Sequence, residues 1–73
     1  MSDIETLAPE IRVNGTPAAL APTVAALLDA RGLGQTKGLA IALNDAVVPK
    51  SAWTTTRLHA GDEIEIVRAV GGG

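Results

Sequence analysis

Apolar and polar residues alternate over the first patterned stretch of the chain and predict a β-hairpin. Ile11 and Val13 are separated by a polar residue, which is the period of a strand with one buried face. The dipeptide Asn14-Gly15 follows and favours the positive φ angles of a tight hairpin turn. The return strand, 16–21, contains Pro17, which cannot donate a hydrogen bond within a central ladder. We therefore expect this strand at an edge of the sheet.

The apolar residues that come next have helical spacing and predict one short amphipathic helix. Val24, Leu27 and Leu28 stand at positions i, i+3 and i+4. Thr23 is the expected N-cap, because its hydroxyl can accept a hydrogen bond from the first turn. Gly32 is the expected stop, since glycine readily adopts the left-handed conformation that ends many helices.

The alternating pattern returns after the helix and predicts two more strands. A loop at 33–38 precedes the stretch 39–44, LAIALN, in which large apolar residues alternate with small ones. A turn at 44–46 then leads to a short strand that begins at Val47-Val48 and is ended by Pro49.

A last strand is predicted at 63–70. The segment 51–62 before it has no period and is interpreted as irregular, up to a turn at Gly61-Asp62. Ile64 and Ile66 are expected to face the core. The residues expected to point outward are Glu63, Glu65 and Val67.

The order of these elements predicts an α+β fold in which one helix covers a mixed sheet of four or five strands. With the Pro17 strand at an edge, a right-handed connection can place the last strand parallel to the first, at the sheet centre. This is the β-grasp arrangement. Residues 10–70 form its single domain, 1–9 are expected to be a flexible leader, and 71–73 a free glycine tail. The expected core residues are Ile11, Val13, Val24, Leu27, Leu28, Leu39, Ile41, Leu43, Ile64 and Ile66.

Composition restricts the possible functions of this domain. Hydrophobic residues form 47% of the chain, so it is expected to fold, with Trp53 as its only aromatic residue. The absence of cysteine excludes disulfides, zinc-thiolate sites and a thiol nucleophile. A net charge of −2 without a basic cluster argues against nucleic acid or an anionic membrane as partner. With no spanning segment or signal peptide, the protein is expected in the cytoplasm.

The side chains of the domain predict no catalytic or metal site. His59 is the single histidine and is interpreted as a solvent-facing loop residue, since metal sites require more ligands. Gly32, Gly34 and Gly38 lack the strand-turn-helix context of a nucleotide-binding loop. Trp53 is interpreted mainly as a large packing residue. No nucleophile, base and oxyanion donor can be combined into a site.

The chain closes on Gly71, Gly72 and Gly73, which are either an inert terminus or a functional tail. Glycine has no Cβ and tolerates unusual φ and ψ angles, so such a tail can pass extended through a narrow channel. The terminal carboxylate would then reach a partner's active site. Because a carboxylate is a poor electrophile, it would first require activation, for example as an acyl-adenylate, before accepting sulfur or a lysine amine.

The stretch AIALNDAVVPKSAWTTTRLHAGDEIEIVRAVGGG, residues 40–73, resembles the sulfur carrier proteins of thiamine biosynthesis, a ubiquitin-like β-grasp family. The landmarks of this resemblance, in order, are Asn44, Val48-Pro49-Lys50, Trp53, Gly61-Asp62 and Gly72-Gly73. The first hairpin and the helix extend the resemblance over residues 10–73. Two features depart from it: Lys50 stands where the family often has arginine, and the leader at 1–9 is additional.

The resemblance implies that the chain is a co-substrate rather than an enzyme. A ubiquitin-activating-like adenylyltransferase would use ATP to adenylate the carboxylate of Gly73, and the chain itself would bind no cofactor. A sulfur donor such as a cysteine desulfurase would convert the adenylate to a thiocarboxylate. A thiazole synthase would then take the sulfur into the thiazole ring.

Three alternatives remain open from the sequence. The first is the small subunit of molybdopterin synthase, which uses the same terminal chemistry. The second is a ubiquitin-like modifier joined through Gly73 to lysines, and the third is an interaction domain with an inert tail. The outward residues Glu63, Glu65 and Val67 are either a solvated face or, by hypothesis, a docking surface for the activating enzyme beside the tail.

Overall fold

A computed structural model describes residues 9–69 of the chain, which form one α-helix, a short 3₁₀ helix and one five-stranded sheet. The elements in chain order are β1 (Glu10–Val13), β2 (Thr16–Ala19), α1 (Val24–Ala30), β3 (Leu39–Leu43), β4 (Ala46–Val48) and β5 (Glu63–Arg68). The strands lie in the order β2-β1-β5-β3-β4. None of the described helical segments is long and apolar enough to cross a lipid bilayer.

The first hairpin is confirmed as predicted. Asn14 and Gly15 have φ angles of 52° and 83°, the left-handed values that a type I′ turn requires. Strand β2 lies at the sheet edge, where the missing N–H of Pro17 breaks no ladder hydrogen bond with a further strand. The strand ends at Ala19, two residues earlier than the expected end at residue 21.

Helix α1 also has the predicted ends. The Thr23 hydroxyl accepts a hydrogen bond from the N–H of Ala26 at 3.1 Å. At the other end, the N–H of Leu33 donates to the Leu28 carbonyl at 2.7 Å, and Gly32 has a φ of 75°. This pairing is a Schellman motif, which glycine favours because its left-handed backbone carries no Cβ penalty.

The segment predicted as irregular packs against the N-terminus of α1 and forms hydrogen bonds with its first turn. A short 3₁₀ helix, Lys50–Ala52, overlaps the start of this segment and was not predicted from the sequence pattern. Further along, the carbonyls of Trp53 and Thr56 accept hydrogen bonds from the N–H groups of Ala25 and Val24, at 3.0 and 3.1 Å. These bonds satisfy donors of the first helical turn, which have no partner within a helix.

The last strand occupies the predicted central position. Strand β5 is parallel to β1 and antiparallel to β3, which makes the sheet mixed and gives the β-grasp topology. Two boundaries differ from the prediction. Ala46, expected in the turn, is the first residue of β4. The turn itself consists of Asn44 and Asp45, both with positive φ. The strand predicted to reach Val70 ends at Arg68, and Val70 lies outside the described residues.

The core lies between α1 and the sheet and matches most of the predicted set. Trp53 is buried there, as interpreted from the sequence. Leu39, Leu43 and Ile66 are only partly buried and pack against the edge of the core. Two core residues, Val48 and Leu58, were not predicted. The buried residues are Ile11, Val13, Val24, Leu27, Leu28, Ile41, Val48, Trp53, Leu58 and Ile64.

Candidate functional site

The face of the sheet opposite α1 carries the outward residues of β5. Glu63, Glu65 and Val67 are all exposed there, and 59% of the Val67 surface is accessible. Ile64 and Ile66 alternate with them on the helix side. The three residues singled out from the sequence therefore share one surface, because successive residues of a strand point to opposite faces.

Strands β3 and β4 extend this surface with small and branched apolar residues. In the β3–β5 register, Ala40 stands opposite Val67 and Ala42 opposite Glu65. Ala42 also stands opposite Val47 of β4, whose surface is 80% accessible. We call the group Ala40, Ala42, Val47 and Val67 the apolar patch. It adjoins the β5 carboxylates. Val47 was not assigned to this face from the sequence, because the pattern of a two-residue strand does not show which side chain points outward.

An open depression with a cavity volume of about 360 Å³ lies beside the apolar patch. It is lined by Asn44, Asp45, Gly61, Glu63 and Glu65. Three of these five residues are acidic, so this part of the surface has a negative potential that suits a partner surface of opposite charge.

Asn44 positions the acidic end of β5. Its Oδ1 accepts a hydrogen bond from the N–H of Glu63 at 2.9 Å, and its Nδ2 donates to Asp62 Oδ1 at 3.1 Å. The other Asp62 oxygen accepts from the N–H of His59 at 2.8 Å. The start of β5 is thus held by side-chain hydrogen bonds that join two turns. In the sequence, the presence of asparagine and aspartate in predicted turns was the only feature that pointed to this network.

His59 lies on one of these turns and is exposed, as interpreted from the sequence. Its Nδ1 is 3.9 Å from Asp62 Oδ2, and 77% of its side chain is accessible. Across residues 9–69 there is no group of three His, Asp or Glu side chains arranged to hold a metal ion. His59 and Asp62 are therefore not joined by a third such ligand in the described part of the chain.

The C-terminal end of β5 is held by the loop before β3. The N–H of Ala69 donates to the carbonyl of Gly38 at 2.8 Å, one residue beyond the last strand pair, Leu39 with Arg68. Gly71, Gly72 and Gly73, the predicted tail and reacting residue, lie outside the described residues. The leader at 1–9 is likewise outside them, apart from Pro9.

Comparisons with known proteins agree on one family. The model of the ThiS family matches residues 11–73. The chain is similar to a crystal structure titled thiamine biosynthesis protein (ThiS) from Geobacter metallireducens, with a TM-score of 0.74 and 29% identity over 88% of this chain and 99% of that one.

A solution structure of a thiamine biosynthesis protein from the same organism has a TM-score of 0.69 and 29% identity, over 88% of this chain and 87% of the other. No curated protein matches the chain. The family match begins within β1 and extends through every described element to Gly73, so the chain belongs to the ThiS family.

Proposed function

We propose that this chain is a sulfur carrier for thiamine biosynthesis and that the carboxylate of Gly73 carries the sulfur. The observation that carries the proposal is the ThiS family match, which continues past β5 through Gly73. The likeness to a solved thiamine biosynthesis protein supports the same pathway. The chain has no cysteine, so a carboxylate is the group on which the proposal places sulfur.

The chemistry needs two steps on that carboxylate. In the first, a Gly73 carboxylate oxygen attacks the α-phosphorus of ATP, which forms an acyl-adenylate and releases pyrophosphate. In the second, hydrosulfide or an equivalent sulfur nucleophile attacks the carbonyl carbon and AMP leaves, which yields a thiocarboxylate. A partner adenylyltransferase binds the ATP, and the carrier itself binds no cofactor. The proposal places these reactions in the cytoplasm.

The folded domain would serve as the surface that this partner recognises. The apolar patch offers exposed Val47 and Val67, whose burial would favour association. Glu63 and Glu65 lie beside it on the same face and would steer a basic partner surface toward the tail. Central strand β5 carries these carboxylates, and only Ala69 and Val70 separate its end from the glycines. Docking of the β5 face and delivery of the carboxylate would therefore be coupled.

After activation, the carrier would deliver the sulfur to a thiazole synthase. The thiocarboxylate sulfur would become the ring sulfur of the thiazole. An oxygen from a carbonyl group of the acceptor or from water would take its place, which restores the carboxylate of the carrier. A cysteine desulfurase is the expected source of sulfur upstream. The chain is therefore consumed and regenerated as a co-substrate.

The test is the intact mass of the purified chain after incubation with a ThiS-activating adenylyltransferase, ATP and sodium sulfide. We expect the increase that corresponds to one oxygen replaced by sulfur, and its loss when ATP is omitted. Deletion of Gly73 is the matched control and should prevent the increase. A chain that never acquires the sulfur would contradict the carrier function.

Two further outcomes would redirect the assignment. Isopeptide-linked adducts in extracts of the native host would indicate a ubiquitin-like modifier. A thiocarboxylate that supplies molybdopterin synthase but not thiazole synthase would assign the chain to molybdopterin formation. The ThiS family match favours the thiazole acceptor over both.

A further inference from the structure

The junction between β5 and the tail has one hydrogen bond that belongs to no strand pair. The β3–β5 pairing ends at Leu39 with Arg68. Beyond it, the N–H of Ala69 donates to the carbonyl of Gly38 at 2.8 Å. Ala69 is exposed, so this bond, rather than burial, is what fixes its backbone to the domain.

Gly38 makes this bond in a conformation that few other residues adopt. Its φ is +77°, so the chain before it turns away from the line of β3 and the strand begins only at Leu39. A Cβ placed on Gly38 would lie 3.4 Å from the Cβ of Ala69. A side chain at this position would therefore strain the backbone, and its Cβ would be in van der Waals contact with the residue that Gly38 holds.

We propose that Gly38 is a positioning residue for the reacting tail: its carbonyl fixes Ala69 as the point from which the tail extends. This inference rests on the proposed function of Gly73. Four residues, 70–73, then separate the fixed point from the reacting carboxylate, and four extended residues span at most about 14 Å. The bond thereby limits both the origin and the reach of the tail.

The energetic reason is conformational entropy. A tail that enters a channel loses backbone conformational entropy on binding. A residue that the domain already holds has lost that entropy before binding, so it adds no further cost. Release of Ala69 would add one more residue to order in the complex. We expect this loss to lower kcat/KM for adenylation about five- to thirtyfold, mainly through a higher KM.

Amide hydrogen exchange tests the anchor without any partner. In the purified chain, we expect the Ala69 amide to exchange about tenfold or more slowly than the same amide in a peptide of residues 66–73. In the Gly38→Ala variant this protection should disappear while the amide of Ile66 stays protected. An Ala69 amide that exchanges at the peptide rate in the unaltered chain would overturn the proposal.

A matched pair of glycine variants tests the effect on the reaction. Gly32 also has a positive φ, +75°, but a Cβ there meets no atom within 4 Å. Gly38→Ala and Gly32→Ala therefore introduce similar backbone strain, but only at Gly38 does the strained residue accept the Ala69 hydrogen bond and carry a Cβ that contacts Ala69. We expect the KM for adenylation to rise for Gly38→Ala and to be unchanged for Gly32→Ala, with both variants folded at the assay temperature.

Ala69→Pro provides a second route, because proline has no N–H to donate to Gly38. It should raise the KM as Gly38→Ala does. If the unaltered chain is adenylated, and Gly38→Ala and Ala69→Pro both have the same KM as the unaltered chain, the positioning role is wrong. The carrier function would then still stand. If the unaltered chain is not adenylated, the carrier function itself fails, while the exchange measurement still tests the anchor.

Discussion

Asn14 is joined to Ile66 through both polar atoms of its side-chain amide. The N–H of Ile66 donates to Asn14 Oδ1 at 2.8 Å, and Asn14 Nδ2 donates to the Ile66 carbonyl at 3.2 Å. The side chain thus takes the place of a further β1 residue and extends the pairing with β5 beyond Val13 and Ile64. The turn of the first hairpin is thereby fastened to the central strand.

Removal of this amide should destabilise the fold without straining the turn. Asn14→Gly keeps a residue that tolerates the observed φ of 52° but loses both hydrogen bonds. We expect the free energy of unfolding to fall by about 1 to 2 kcal/mol in urea denaturation. Asp45→Gly is the control: Asp45 also has a positive φ, and its side chain makes no hydrogen bond to residues 9–69. An equal loss in both variants would contradict the role of the amide.

Leu28 should be one of the most costly core residues to truncate. It is 1% exposed and lies on the face of α1 that covers the sheet. Leu28→Ala is expected to lower the free energy of unfolding by about 2 to 5 kcal/mol, because it removes buried methyl groups and leaves a cavity. Val47→Ala, on the exposed face, should cost well under half as much. Similar costs for the two variants would refute the helix-on-sheet core.

The indole of Trp53 combines burial with a hydrogen bond. Its Nε1 donates to the carbonyl of Val48 at 2.9 Å, and both residues are buried. Trp53→Phe should therefore lower the free energy of unfolding by about 1 to 3 kcal/mol beyond the effect of the smaller ring, since a buried acceptor loses its partner. The measurement requires circular dichroism, because the variant has no tryptophan fluorescence. A neutral substitution would show that the hydrogen bond contributes little.

Much of the fold was predictable because its signals are local. The alternation around Ile11 and Val13 and around Ile64 and Ile66 reports which residues face the core, and a one-residue shift in register would turn them to solvent. Pro17 restricted its strand to an edge by its missing N–H. Together these local signals leave a central position for β5, and the topology follows.

The remaining features depend on contacts between distant parts of the chain. Leu58 is buried although the sequence around it has no period, because residues 50–58 pack across the start of α1 rather than in a strand. The amides of Asn14 and Asn44 bond to β5 across 52 and 19 residues, and a turn signal alone gives no partner. The Gly38 anchor is similar: its loop was predicted, but not what the loop holds.

The proposed docking surface predicts a charge effect on association with the activating enzyme. Glu65→Lys reverses a charge beside the apolar patch. Asp29→Lys makes the same change at an exposed position of α1, in the other layer of the fold. We expect Glu65→Lys to slow association about two- to tenfold at low ionic strength and to reduce its dependence on salt. Stopped-flow or surface-plasmon kinetics would measure this. If Asp29→Lys has the same effect, only net charge matters and the β5 face has no special role.

The proposed chemistry predicts that changes at the end of the tail separate activation from folding. Gly72→Ala adds one methyl group, and Gly72→Val adds a branched side chain that restricts the backbone. The rate of adenylation should therefore fall from glycine to alanine to valine. A displacement of the carboxylate by about 1 Å would lower the rate for the valine variant about a hundredfold. One residue appended after Gly73 should abolish thiocarboxylate formation, because the reacting carboxylate is then an amide. The urea midpoint should stay unchanged in all three variants, since glycine has no apolar side chain to bury. Intact mass after reaction with activating enzyme, ATP and sulfide gives the result. An appended chain that still gains the mass of an oxygen-to-sulfur exchange would refute the role of the Gly73 carboxylate.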